Sequence, residues 1–249
     1  MKKYEFTEET KIFLERRLHR IRPVRDFRDV KAGDLGGFLE KEENLAHSGN
    51  AWVGGKAKVC GNALVSDNAW VSDNARVSGN ALASGNAWVS GNAWVSGNAL
   101  ASGNAKVCEN ALVYGDAWSS GNALASGNAR VYGNAMVSDN AWVSGNALAS
   151  GNARIGGKTF VSGNARIGDG ALITTTSHYF VAGPIGEDDG YLTFYKTQNG
   201  ISVCCDWFSG DIDAFSGRVQ EANLDNAHAK AYQLAIELAK LRIRPEGAA

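Results

Sequence analysis

Histidine is absent from the middle of this 249-residue chain, with none between His47 and His178. That removes the commonest general base and metal ligand from half of the sequence. An excess of either charge is also lacking: 25 Lys+Arg stand against 26 Asp+Glu, and there is no basic tail, acidic run or polybasic arm, which argues against bulk nucleic-acid binding. No apolar stretch approaches membrane-spanning length, and Met1-Lys2-Lys3-Tyr4-Glu5 leads into charged sequence rather than an apolar signal region. No membrane association and a cytoplasmic address are therefore expected. Cysteine is scarce as well. Cys60, Cys108, Cys204 and Cys205 lack metal-ligand spacing and read as reduced structural thiols, so neither a metal nor another cofactor is expected.

What the chain does have is a six-residue unit, roughly Gly-Asn-Ala-x-Val-Ser, repeated from Asn50 to Ile173 without an insertion or deletion. Alanine returns every sixth position from Ala51 to Ala171, with Thr159 the only substitute, and a Val, Ile or small residue follows two positions later. Such alternation followed by a polar pair reads as a very short strand and a tight corner. Gly suits the corner because it reaches positive φ freely, and Asn because it tolerates the left-handed region. Strands this short cannot persist alone, so the units must stack.

In Val65-Ser66-Asp67-Asn68-Ala69-Trp70 an aliphatic residue and a small residue occupy the first and fifth places of the hexapeptide rule. The chain thereby resembles the hexapeptide-repeat superfamily, and the resemblance implies a left-handed parallel β-helix, a triangular prism with three hexads per coil. The hexads then make about seven coils, and strands spaced by about 4.8 Å give a rod roughly 34 Å long.

With three hexads per coil, residues 18 apart share a column, so the position after each Ala sorts by wall. The first wall carries Trp52, Trp70, Trp88, Lys106, Leu124, Trp142 and Phe160, and its aromatic members are the expected interaction surface. A second apolar wall carries Leu64, Leu82, Leu100, Trp118 and Met136, followed by Arg154 and Leu172. The third carries Lys58, Arg76, Trp94, Leu112, Arg130, Leu148 and Arg166; of these Lys58, Arg76, Trp94 and Arg130 form a candidate site for an anion or small nucleotide sandwiched on the indole. Since soluble monomers seldom expose apolar patches above a few hundred Å², the tryptophan wall is expected to be covered by a second copy, by the terminal segments or by a foreign partner.

The sequence divides into an N-terminal cap over 1–46, the β-helix over 47–174 and a small α+β domain over 175–249. Tyr4 to Thr7 and Leu18 to Arg25 read as strands of a hairpin with a short helix from Glu8 to Glu15 between them. The Arg cluster from Arg16 to Arg28 reads as a solvated hairpin face. In the last segment Tyr179–Ala182, Tyr191–Lys196 and Ile201–Asp206 are strand-like, joined at Asp189-Gly190 and Asn199-Gly200. Asp211 is placed to cap a helix running to about Ala222 that buries Ile212, Phe215 and Val219. A second helix from Asn226 to Ile243 is expected to bury Ala231, Leu234, Ala235 and Leu238. His178, His228, Asp188, Asp189, Asp206, Asp211 and Asp213 show no metal or nucleophile spacing.

The Gly-Asp-Leu-Gly-Gly entry, the Gly-Asn-Ala hexads, Gly183-Pro184-Ile185-Gly186 and Phe208-Ser209-Gly210-Asp211 together resemble uncharacterised hexapeptide-repeat proteins of bacteriophages and prophages. That likeness implies a place in the infected bacterial cell, in virion assembly or in blocking host defence. Acyltransferases of the superfamily need a histidine beside the coil, and its carbonic-anhydrase type holds zinc through histidines on the coils; the histidine gap leaves the walls without either. The expected function is thus a non-enzymatic, homo-oligomeric binding protein that engages a host bacterial protein. The alternatives are a sponge for a small nucleotide signal, an acyltransferase-like enzyme and a virion structural protein.

Overall fold

The computed structural model describes residues 2–221 and 227–243. The hexads form a three-sided parallel β-solenoid. Each hexad contributes a two-residue strand, such as Trp70–Val71, and every third strand joins the same sheet. Pairs such as Trp70 with Trp88, Trp94 with Leu112 and Leu100 with Trp118 reproduce the three columns read from the spacing of 18. The ladder is carried between coils, with the Trp70 amide donating to the Ala87 carbonyl (2.8 Å) and the Trp88 amide to that of Ala105 (2.9 Å). Inward-pointing Ala and Val fill a narrow core, and Ala69, Val71, Ala87 and Val89 are all 0% exposed. Small and β-branched residues are what a prism this thin admits.

Two core positions of the hexads carry a hydroxyl: Thr159, whose Oγ1 donates to the Gly156 carbonyl at 2.7 Å, and Ser119, which has no such partner. Ser119 stands where a neighbouring coil has Val137; it is fully buried and its Oγ has no hydrogen-bond partner. An unmatched buried hydroxyl costs about 1–3 kcal/mol. Ser119→Ala is expected to raise the thermal midpoint, by about 2–4 °C for each kcal/mol recovered, as calorimetry would record. A lowered midpoint would show that the hydroxyl is satisfied.

The corners differ from the sequence reading in one respect. Gly alone, or an acidic residue in its place, takes the positive φ, as at Gly97 (+71°) and Asp67 (+58°), and no Asn does. Asn is selected for a different reason. Its side-chain amide donates to the Asn one coil on, so that ladders run along the edges, for example Asn50–Asn68–Asn86–Asn104 at 3.1, 3.1 and 3.0 Å. Stacked identical amides satisfy one another as in cross-β assemblies. Where Asp67, Asp73 and Asp139 replace Gly, each carboxylate accepts the amide 18 residues later: Gly85 at 3.0 Å, Gly91 at 3.0 Å and Gly157 at 2.9 Å.

The N-terminal segment contains no helix between its strands. Strand β1, Tyr4–Phe13, runs through Glu8 to the turn, and β2, Arg16–Pro23, returns antiparallel from Phe13–Arg16. Leu14 and Glu15 both have positive φ, 49° and 59°, the geometry of a two-residue hairpin turn. Cross-strand pairs Glu5–Arg22 (2.5 Å) and Glu9–Arg20 (2.9 Å) favour strand over helix there, and Arg16 reaches Glu40 at 2.8 Å. Phe38–Leu39 joins β2 to the solenoid, and Leu45 bridges to Val65. These residues add an irregular turn ahead of the seven regular ones, because Leu39 and Leu45 cover the otherwise open core. Gly36 and Gly37 permit the approach: a Cβ on Gly36 would lie 2.6 Å from both Ile21 and Trp52.

At the other end a four-stranded antiparallel sheet, Tyr179–Ile185, Gly190–Thr197, Gly200–Cys204 and Ser209–Asp211, closes the solenoid. The fourth strand was not expected from the sequence; its three residues Ser-Gly-Asp carry no apolar pattern and are held by pairing with Ser202–Cys204. Thr193 Oγ1 accepts the Arg166 amide (2.9 Å), and buried Tyr195 packs into the core with Ile167 and Ile173. Helix α1, Ile212–Glu221, starts at Asp211, whose Oδ1 accepts the Asp213 amide at 2.7 Å, and buries Ile212, Phe215 and Val219 as expected. Helix α2, Ala227–Arg242, buries Ala235 as expected and half-buries Ala231, but Leu234 and Leu238 are exposed and Ala229, Ile236 and Ala239 take the inner positions instead. Both faces of α2 are apolar, so composition alone does not select the inner one. The expected helix ends at Ala222 and Asn226 lie outside the described residues. Among the described residues no helix is long and apolar enough to cross a membrane.

Candidate functional site

The flat walls present their side chains in straight columns. On the first wall Trp52 is 4% exposed, because Phe27 of the N-terminal segment packs edge-on against it with ring centroids 5.4 Å apart. Trp70 is half-buried beneath Arg28, whose guanidinium lies 5.2 Å from the ring centroid. These two members of the expected interaction wall therefore belong to the cap. The rest of the column is open: Trp88 is 44% exposed, Trp142 43% and Phe160 47%, with exposed Lys106 and half-buried Leu124 between them. Trp142 and Phe160 meet edge-to-face at 4.7 Å.

The second wall is less prominent. Leu64, Leu82, Leu100 and Met136 are half-buried along their column, and Trp118 stands out at 47% exposure.

The third wall does not assemble the expected nucleotide sandwich. Lys58 and Arg76 lie on adjacent coils under the hairpin tip, both over the Phe13 ring at 5.5 and 5.6 Å. Arg76 also stacks on Trp94 at 5.5 Å, so that indole face is already occupied, and Trp94 Nε1 donates to Ser78 Oγ (2.9 Å). Arg130 is separated from Trp94 by Leu112 and takes no part. The hairpin tip, where a short helix was expected, brings Phe13 and Leu18 onto this wall; Leu18 and Phe38 also bury Cys60, which faces outward from its coil but is covered. Alternation in β1 was the available signal for that hairpin. Burial pushes the Cys60, Cys108, Cys204 and Cys205 thiols up, as suits unreactive groups.

The C-terminal polar residues are dispersed. Asp206 pairs with Arg166 (2.6 Å), Asp213 with Lys240 (2.7 Å), and Asp211 caps α1. His178 Nδ1 lies 3.3 Å from the Thr174 amide. A cavity of about 630 Å³ separates the last coil from the helices, lined by Leu172, Lys196, Ile201, Asp211, Lys240 and Ile243, and its best-placed charges, Asp211 and Lys240, are those already engaged with the backbone and with Asp213. A shallower cavity of about 410 Å³ lies between Trp70 and the segment bearing Asp29 and Asp34.

The geometry that stands out is thus a loopless rod with an aromatic strip, capped at both ends. No curated protein matches the chain. A family model does match within the hexads: the YdcK beta-solenoid repeat, over residues 57–73, 69–85 and 129–145. The matched stretches cover parts of the regular array, and the chain is a β-solenoid repeat protein whose hexads are similar to that repeat.

Proposed function

We propose that this chain is a non-enzymatic binding protein of the phage-infected bacterial cytoplasm that self-associates through its first wall and engages a host protein through the second. The observation that carries the reading is the strip Trp88, Lys106, Leu124, Trp142, Phe160, three aromatics of which are more than 40% exposed in one straight column. The N-terminal segment covers the same column at Trp52 and Trp70, and Trp88 is the first open member.

The strip is self-complementary. Its members lie one coil apart, about 4.8 Å. A second copy laid antiparallel about Leu124 sets Trp88 against Phe160 of that copy and Lys106 over its Trp142, whereas a parallel register sets Lys106 against Lys106. Antiparallel pairing therefore offers two cation–π contacts, each about 0.5–2 kcal/mol, together with burial of six aromatic rings, in an isologous two-fold interface. The second wall, with Trp118 at its centre, then remains free for a foreign partner.

Sedimentation velocity on the Trp88→Ser, Trp142→Ser double variant tests this. The variant is expected to run as a monomer with unchanged far-ultraviolet circular dichroism, since neither side chain enters the core. An unchanged oligomer would remove the first wall from the interface.

A further inference from the structure

Where the hairpin tip folds onto the third wall, four cations gather without a counter-charge. Lys58 is only 8% exposed, and its Nζ has one partner, the Lys56 carbonyl at 3.2 Å. Desolvation, then the charges of Lys11, Arg76 and Lys56, push its ammonium below the ordinary lysine range. Arg76 Nε is buried and has no hydrogen-bond partner. Among the described residues no carboxylate lies within ion-pair distance of any of the four; Glu9 is taken by Arg20, and Glu40 by Arg16 and the Gly61 amide. Two rings pack against the Arg76 guanidinium, Phe13 at 5.6 Å and Trp94 at 5.5 Å, and hold that fork in place.

Burying one ammonium beside three like charges costs free energy that neither an aromatic face nor one carbonyl offsets. What is missing is negative charge, compact enough to meet an ammonium and a guanidinium together. We propose that Lys58 and Arg76, seated against Phe13 with the charges of Lys11 and Lys56 beside them, bind a phosphate group at the N-terminal end of the solenoid. Phosphate offers several acceptor oxygens, matches the planar guanidinium fork and tolerates lysines as point charges. The site is separate from the aromatic strip and does not depend on self-association. Because Arg76 is already packed against the Phe13 and Trp94 rings, the site recognises the phosphate and not a base.

Thermal melting at constant ionic strength tests this with inorganic phosphate, AMP and adenosine as probes against chloride. Phosphate and AMP are expected to raise the midpoint comparably and saturably, and adenosine to have no effect. Lys58→Met keeps the aliphatic stem and removes the charge; it is expected to melt higher than the native chain in chloride and to lose the phosphate response. A response to AMP ten times more sensitive than to phosphate would assign the site to a nucleoside phosphate rather than to phosphate itself, and so contradict the exclusion of a base. Absence of any phosphate effect beyond chloride, or an equal effect in Lys58→Met, would overturn the site.

Discussion

Gly97→Val is expected to lower the thermal midpoint by about 6–12 °C, while Gly97→Asp leaves it nearly unchanged. Gly97 has φ of +71°, and a Cβ there would lie 2.9 Å from the N and O of Gly115 on the next coil. The left-handed conformation costs an ordinary side chain about 1–2 kcal/mol, and a β-branched one is a true outlier there. Crowding against the neighbouring backbone adds about 1–3 kcal/mol. Together these come to about 3 kcal/mol, and at this chain length each kcal/mol moves the midpoint by about 2–4 °C. Aspartate meets the same strain but recovers a hydrogen bond, as Asp67 does from the Gly85 amide at 3.0 Å. Melting curves of the two variants decide the point: equal losses would mean that the corner acidic residues are tolerated rather than compensated.

Tyr195→Ala is expected to cost about 3–5 kcal/mol, as large aromatic truncations in cores do, and to do so at one end of the rod only. Tyr195 is 1% exposed, sits with Ala171 and Ile173 over the last coil, and has its hydroxyl against Gly168, where a Cβ would come within 2.5 Å. Burial is the main reason that its phenol is pushed up to about 12. In a solenoid each coil touches only its neighbours, so an uncapped end frays locally instead of unfolding the array. Amide hydrogen exchange should therefore accelerate around Leu148–Ile173 and stay slow around Leu64–Ser119. Uniform acceleration along the rod would show that the coils melt as one unit.

How much of this was legible in the sequence depends on how local the signal is. The period of six is plain in the sequence, whereas the sorting of residues into three walls and their outward placement rested on the hexapeptide-repeat resemblance together with side-chain volume, since a narrow prism leaves no other place for Trp88 or Leu100 than outside. The ends were harder. Glu8 to Glu15 looked helical by composition, yet its register is decided by partners such as Arg22 and Arg20 on the returning strand and by the Leu14-Glu15 turn. Helix α2 misled because Leu234 and Leu238 on one side and Ala235, Ile236 and Ala239 on the other are both apolar, and only the sheet beneath selects the smaller residues. Of the candidate sites, the columns were visible, but the covering of Trp52 by Phe27 and of Lys58 by Phe13 was not. Both depend on where a non-repeating segment folds back over a repeating one.

Asparagine gives a related lesson. Its abundance at the corners suggested backbone tolerance, whereas the ladder from Asn74 through Asn92 to Asn110 shows side chains serving one another across coils at 3.3 and 3.1 Å. That function appears only once residues 18 apart become neighbours.

The most direct measurement is the mass of the native protein in solution by light scattering during size exclusion, at tens of micromolar and near-physiological salt. The aromatic strip predicts an integer multiple of 26.4 kDa, with a dimer as the smallest species that covers it. A single species of 26.4 kDa across that range would contradict self-association through the first wall.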